Sequence, residues 1–306
     1  MIKVSNLEKS YGDLKALKGI SLEVEKGELF GLIGSDGAGK TTLIRILVTL
    51  LLPDSGSATM DGLNVVGDFR QIRKMVGYMP GRFSLYPDLT VEENLQFFAT
   101  VFGGTIAANY HLIKDIYVQI EPFKNRPAGK LSGGMKQKLA LSCSLIHAPK
   151  VLILDEPTIG VDAVSRKEFW EMLNKLRHQG ITILVSTPYM DEANLCDRVA
   201  LIQNGTILSI DSPKNITKSF TKKLFGVKVE TTAQRFECVG LLKGLEGIDS
   251  VFSFGESIHI TSNQKDINEI SVKEYLNNKG HQGILVEKID ASIEDVFMEL
   301  MQNGAN

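Results

Sequence analysis

The nine residues Gly34-Ser35-Asp36-Gly37-Ala38-Gly39-Lys40-Thr41-Thr42 fit the spacing G-x-x-x-x-G-K-[ST] at every fixed position. Glycines let a backbone wrap phosphates. Lys40 supplies a point charge for β/γ oxygens, and the Thr41 hydroxyl can ligate Mg²⁺. About a hundred residues on, Leu131-Ser132-Gly133-Gly134-Met135-Lys136-Gln137 places small residues at the mouth of a helix, where exposed N–H groups and the helix dipole favour an anion. Four apolar residues then lead to Asp155-Glu156, a strand ending in carboxylates. Asp155 is placed to hold Mg²⁺, usually through water, and Glu156 to orient and deprotonate an attacking water. An acidic pair can also merely cap a strand before Pro157; beside two glycine loops, phosphoryl chemistry is the reading all three elements share.

The flanks agree with that chemistry. An apolar strand, Leu29 to Ile33, runs into the first loop, and a helix with Leu43, Ile44, Ile46 and Leu47 leaves it.

These three elements, in this order, resemble the ATP-binding subunits of ABC transporters over residues 1 to about 217. The resemblance implies ATP and Mg²⁺ as ligands, with Tyr11 stacking on adenine, although a Tyr before a Gly turn also suits a strand end. Gly34 to Thr42 match Walker A, residues 131–137 the signature, 151–156 Walker B, and Gly160-Val161-Asp162 the D-loop. It further implies a head-to-tail dimer, in which Ser132, Gly133 and Gly134 complete the pocket of a second ATP-binding subunit, identical or not. The fold implied is α/β, a P-loop NTPase with a β subdomain and a helical subdomain at about 91–147.

Two departures bear on mechanism. The family normally carries Gln after Tyr-Met/Leu-Pro, but Tyr78-Met79-Pro80 is followed by Gly81. It also expects His after Ser-Thr, but Ser186-Thr187 is followed by Pro188, which has no side-chain donor and no N–H. Losing a contact that matters in the transition state commonly costs about 2.7–4 kcal/mol, a hundred- to a thousandfold in rate. The expectation is a pocket that binds Mg-ATP and hydrolyses it slowly, with Lys40 and Glu156 as its catalytic pair. Ser35-Asp36, where many relatives have Pro-Asn, remains compatible with a tight loop.

Composition narrows the partners. The chain has 306 residues, formal net charge −2 and three scattered cysteines. No basic face is implied, so nucleic acid is not expected as a partner. The cysteines show neither paired nor metal spacing, which suggests free thiols in a reducing cytosol. The longest greasy stretch, 43–52, is broken by Arg45 and too short to cross a bilayer. Contact with a membrane is therefore expected only through a partner, at the inner face of the cell membrane.

The elements that must position these residues read as follows. Residues 1–33 alternate as half-buried strands; short strands fall near 57–60 and 76–79. Thr90 with Glu93 has capping-box spacing at the start of the helical insert. Strands return at 151–155 and 181–186, then a hairpin turning at Asn204-Gly205. Beyond a boundary near 213–223, residues 224–306 read strand, helix, strand, strand, helix, strand, helix, the order of a small α+β ferredoxin-like domain.

The stretch Gly81-Arg82-Phe83-Ser84-Leu85-Tyr86, with the missing His, resembles the first, degenerate ATPase half of tandem-ATPase multidrug export systems. By that resemblance Phe83, Leu85 and Tyr86 are candidates to dock a permease, or else a small apolar cluster covering the sheet edge. The leading expectation is the ATP-binding subunit of an ABC-2-type exporter. The alternatives are a nearly non-hydrolytic regulatory subunit of a heterodimeric ATPase and a soluble non-transport ABC ATPase. The tail resembles the regulatory or dimer-supporting domain of drug-exporter-type ATPases.

Overall fold

The computed structural model describes residues 1–303, which divide into two compact units, Met1–Pro213 and the residues from Lys214 on. In chain order the first unit holds β1 (Ile2–Tyr11), β2 (Leu14–Val24), β3 (Leu29–Ile33), α1 (Lys40–Leu47), β4 (Ser55–Met60), β5 (Leu63–Asn64), α2 (Phe69–Met75), β6 (Val76–Met79), α3 (Val91–Val101), α4 (Ile106–Tyr117), α5 (Gly133–Leu145), β7 (Val151–Asp155), α6 (Ala163–His178), β8 (Thr182–Thr187), β9 (Arg198–Gln203) and β10 (Thr206–Asp211).

One sheet has the order β10-β9-β3-β8-β7-β6, parallel throughout except for the β10 edge. Its central strands β3, β7 and β8 are buried at every residue, including the polar Asp155, Thr182, Ser186 and Thr187 at strand ends, as strands covered on both faces must be. The other sheet, β2-β1-β4-β5, is antiparallel; β1 buries Ile2, Val4 and Leu7, and β2 buries Leu17, Ile20, Leu22 and Val24, alternating except at the register shifts between them. Between the sheets α1 buries Leu43, Ile44, Ile46 and Leu47, joining Phe30, Leu32 and Ile153 in one core. Each such side chain contributes about 1.5–3 kcal/mol by leaving water.

Helix starts follow local chemistry. Thr90 caps α3 through a complete capping box with Glu93, as its spacing predicts. Asp162 caps α6 by accepting from Val164 and Ser165 N–H, and these bonds hold its carboxyl below the usual range. Asn204 and Gly205, both at positive φ, form the two-residue turn between β9 and β10.

The second unit contains α7 (from Pro213 to Lys218), β11 (Lys223–Lys228), α8 (Thr232–Lys243), β12 (Ser250–Phe254), β13 (Ser257–Ser262), α9 (Glu269–Asn278), β14 (Leu285–Lys288) and α10 (Ile293–Asn303). Its antiparallel sheet has the order β12-β13-β11-β14, that of a ferredoxin-like unit. Phe225, Val227, Ile258 and Ile260 pack one sheet face against Leu242 of α8 and Leu276 of α9. His259, between Ile258 and Ile260, faces the other way and meets Asp295 of α10 at 2.7 Å. Burial alone would raise the Asp295 carboxyl, but hydrogen bonds from His259 and Ser292 hold it below its ordinary range. Among the described residues no helix is long and apolar enough to cross a membrane.

Candidate functional site

β3 delivers the chain to Gly34, where a Cβ would stand 2.1 Å from the Ile202 carbonyl oxygen of β9, so only glycine fits. At Gly39 φ is +107°, and a Cβ would meet the Ala16 oxygen at 2.6 Å, so backbone conformation and packing both demand glycine. Lys40 then opens α1 with its ammonium turned back into the loop. It is 3% exposed and donates to the carbonyls of Gly34 at 2.8 Å and Ser35 at 2.9 Å. Its third neighbour is Glu156 Oε1, at 3.1 Å.

β7 ends beside this loop. The Thr41 hydroxyl donates to Asp155 Oδ1 at 3.1 Å, and the Ser186 hydroxyl donates to the same oxygen at 2.7 Å. Glu156 follows at φ +51°, a left-handed conformation uncommon for a residue with a side chain. Nearby Tyr78 is pushed up to about 12, by burial first and the Asp155 charge second, so it stays a phenol at neutral pH.

A cleft of about 380 Å³ opens over these groups, lined by Tyr11, Gly37, Ala38, Gly39, Lys40, Thr41, Thr42 and Glu156. Tyr11, 46% exposed, presents its ring at one end. Gly34, Ser35 and Asp36, earlier in the loop, are not among the residues lining this cleft. The site suits a nucleotide triphosphate: a glycine cradle, a buried cation already facing a carboxylate, and an aromatic face at the rim. Asp155 and Thr41 offer two oxygens to a cation. Among the described residues there is no cluster of three or more His, Cys, Asp or Glu able to hold a metal unaided. That donor set fits Mg²⁺, which takes few protein ligands and completes its shell with phosphate and water.

The signature residues lie elsewhere. Ser132 caps α5, its hydroxyl accepting from Met135 N–H at 3.4 Å. Gly133 lines a separate cleft of about 160 Å³ with Gly81, Glu156 and Gly160. At Gly134 a Cβ would stand 2.6 Å from Ser165 Oγ of α6. None of the three lines the Lys40 cleft.

The two departures have structural consequences. At Gly81 a Cβ would meet the Asp155 carbonyl oxygen at 2.9 Å, so the loop has closed on the strand end and leaves no room for a side chain without a shift. Among the described residues no histidine lines the Lys40 cleft. Of the three docking candidates, Phe83 and Tyr86 are exposed, but Leu85 is 6% exposed. Leu85 is buried and lines an apolar groove together with Phe98 and Ala140.

Several contributors were not read from the sequence. Lys15, Lys18, Asn204 and Gly205 also line the Lys40 cleft. Behind it Gly205 N–H donates to the Ala38 carbonyl at 3.0 Å, and the Ser35 hydroxyl donates to Gln203 Oε1 at 2.6 Å. The Asn-Gly pair signals a turn, but no local signal says that the turn braces the phosphate loop. Ser186 likewise gave no signal.

A phosphate loop and an acidic strand end, side by side at the C-terminal edge of a mainly parallel sheet, define a P-loop nucleotide hydrolase. Residues 17–159 match the family model "ABC transporter". Over 305 residues the chain is 37% identical to the "Probable multidrug ABC transporter ATP-binding protein YbhF" of Escherichia coli (strain K12), covering 98% of this chain and 52% of that one. It therefore spans about half the length of that relative. Over 221 residues it is 40% identical to the "Nod factor export ATP-binding protein I" of Burkholderia lata, covering 71% of this chain and 73% of the other. Among solved structures it is similar to an ATP-binding subunit of an ABC transporter (27% identity, TM-score 0.66, 72% of this chain and 93% of that one). A dimeric ATP-binding cassette bound to ADP and Pi also aligns (26% identity, TM-score 0.63, 69% and 98%). The chain belongs to the ATP-binding subunits of ABC transporters.

Proposed function

We propose that the chain binds Mg-ATP in the Lys40 cleft and drives an ABC-2-type exporter, hydrolysing its own nucleotide slowly. The observation that carries this reading is the convergence of Lys40, Thr41, Asp155 and Glu156 over one cleft. The loop N–H groups and Lys40 hold the phosphates, and Tyr11 stacks on the adenine. Thr41 and Asp155 would hold Mg²⁺, which would supply positive charge to offset that of the phosphates. Glu156 leaves Lys40, orients a water on the γ-phosphate and takes its proton. Gly81 and Pro188 bring no side-chain donor to that water or phosphate, and this is the reason for slow turnover.

Ser132, Gly133 and Gly134, outside their own chain's cleft, complete the pocket of a second ATP-binding subunit in a head-to-tail dimer. They present the N-terminus of α5 to its phosphate. A permease docks at the apolar groove of about 440 Å³ that includes Met79, Phe98, Val101 and Phe102, with Phe83 and Tyr86 exposed on the same loop. The multidrug and Nod-factor exporters among the relatives are the basis for proposing export. The ferredoxin-like unit serves as an accessory or regulatory domain. A nearly non-hydrolytic regulatory subunit is the second reading, favoured by the closed Gly81 loop.

Equilibrium binding of a fluorescent ATP analogue with Mg²⁺ tests the first step. Wild type should bind, and Lys40→Ala should bind about ten- to a hundredfold more weakly. Equal affinity in the two proteins would refute the site.

A further inference from the structure

We propose that Ser186 is a positioning residue for hydrolysis, its one hydroxyl setting both the Asp155 carboxylate and the Glu156 backbone. The proposal rests on the reading above, in which Glu156 orients the attacking water.

Ser186 is fully buried on β8 and pairs across the parallel sheet with Asp155. Its Oγ donates to Asp155 Oδ1 at 2.7 Å and accepts from Glu156 N–H at 3.0 Å. A hydroxyl has one proton and two lone pairs, and a carboxylate can only accept, so the O–H direction is fixed toward Asp155. Oδ1 thereby receives Ser186 from one side and Thr41, at 3.1 Å, from the other. These two donors aim the carboxylate at the loop.

The second bond acts on the backbone. Glu156 sits at φ +51°, a conformation that persists only where the surroundings hold it. Its N–H goes to two acceptors of one residue, Ser186 Oγ and the Ser186 carbonyl at 3.1 Å. This grip turns the Glu156 side chain back toward Lys40 rather than along the strand direction.

Neighbouring positions do not duplicate the role. The Thr187 hydroxyl, on the opposite face of β8, donates to Glu192 instead. Pro188 has no donor. Ser186 therefore supplies the one side-chain contact of the β8 end to the acidic pair, beside the carbonyl it shares with any residue there.

Single-turnover hydrolysis of radiolabelled ATP by the full chain tests this, with binding and melting measured on every variant. Ser186→Ala should slow hydrolysis about ten- to a hundredfold while the ATP dissociation constant stays within about twofold. Ser186→Thr, which keeps the hydroxyl, should recover most of the rate. Thr182→Val removes an equally buried hydroxyl from the other end of β8 and should cost stability without slowing hydrolysis. If the alanine variant does not fold, Ser186→Cys fills the same space with a weak donor and carries the same expectation. A wild-type rate in Ser186→Ala or Ser186→Cys overturns the proposal. So does a threonine variant as slow as alanine, or an equal slowing by Thr182→Val. If Glu156→Gln hydrolyses at the wild-type rate, the parent reading of Glu156 fails. If Glu156→Gln is silent and Ser186→Ala is not slowed, only the role of Ser186 fails.

Discussion

Lys40 Nζ lies 3.1 Å from Glu156 Oε1, so the cation proposed for a phosphate and the base proposed for a water neutralise each other. Incoming nucleotide must separate them. Removing the carboxylate leaves the buried Lys40 charge unpaired until a phosphate arrives, so Glu156→Gln should bind ATP at least about fivefold more tightly than wild type. Its hydrolysis should fall about a hundredfold or more. Isothermal titration beside a phosphate-release assay reads both. Unchanged or weaker binding in the variant would mean that the pair does not oppose nucleotide.

The phosphate loop and Asp155-Glu156 were legible because their chemistry is local: glycines, a cation, a hydroxyl and carboxylates at fixed spacing between a strand and a helix. Ser186, Gln203 and Gly205 were not. They reach the site only through the β9-β3-β8-β7 neighbourhood, which pairs segments far apart in sequence. A loop sequence likewise says that Leu85 is apolar but not that it is buried. The ferredoxin-like order was legible because period-2 and period-3.6 patterns alternate without interruption through β11 to α10.

Thr90 accepts from Glu93 N–H at 3.2 Å and caps α3. Thr90→Ala should lower stability by about 1 kcal/mol and the Tm by about 2–4 °C. Thr90→Ser should be close to wild type. A calorimetric melt decides it, and an unchanged Tm in the alanine variant would show that the cap is redundant.

Burial holds the His147 imidazole below its ordinary 6.5, although Nε2–H donates to the Val76 carbonyl at 3.1 Å. The unfolded chain then binds more protons than the folded one as pH falls through that value, so stability should fall below about pH 6.5. His147→Gln should flatten this dependence. Melting at pH 7.5 and 5.5 measures both slopes; equal slopes would remove His147 as a source.

Gly81→Gln places a Cβ 2.9 Å from the Asp155 carbonyl. By itself it should lower the Tm without raising turnover, because the loop must move to admit it. A turnover gain with native melting would mean that the loop yields at little cost.

As proposed, the pocket binds ATP but turns it over slowly because of the Pro188 and Gly81 positions. Steady-state phosphate release by the purified chain alone, beside Pro188→His and the Pro188→His/Gly81→Gln pair, tests it most directly, with Glu156→Gln as background. Wild type should turn over above that background but at least about tenfold below the faster restored variant. A wild type that turns over as fast as both restored variants would contradict it.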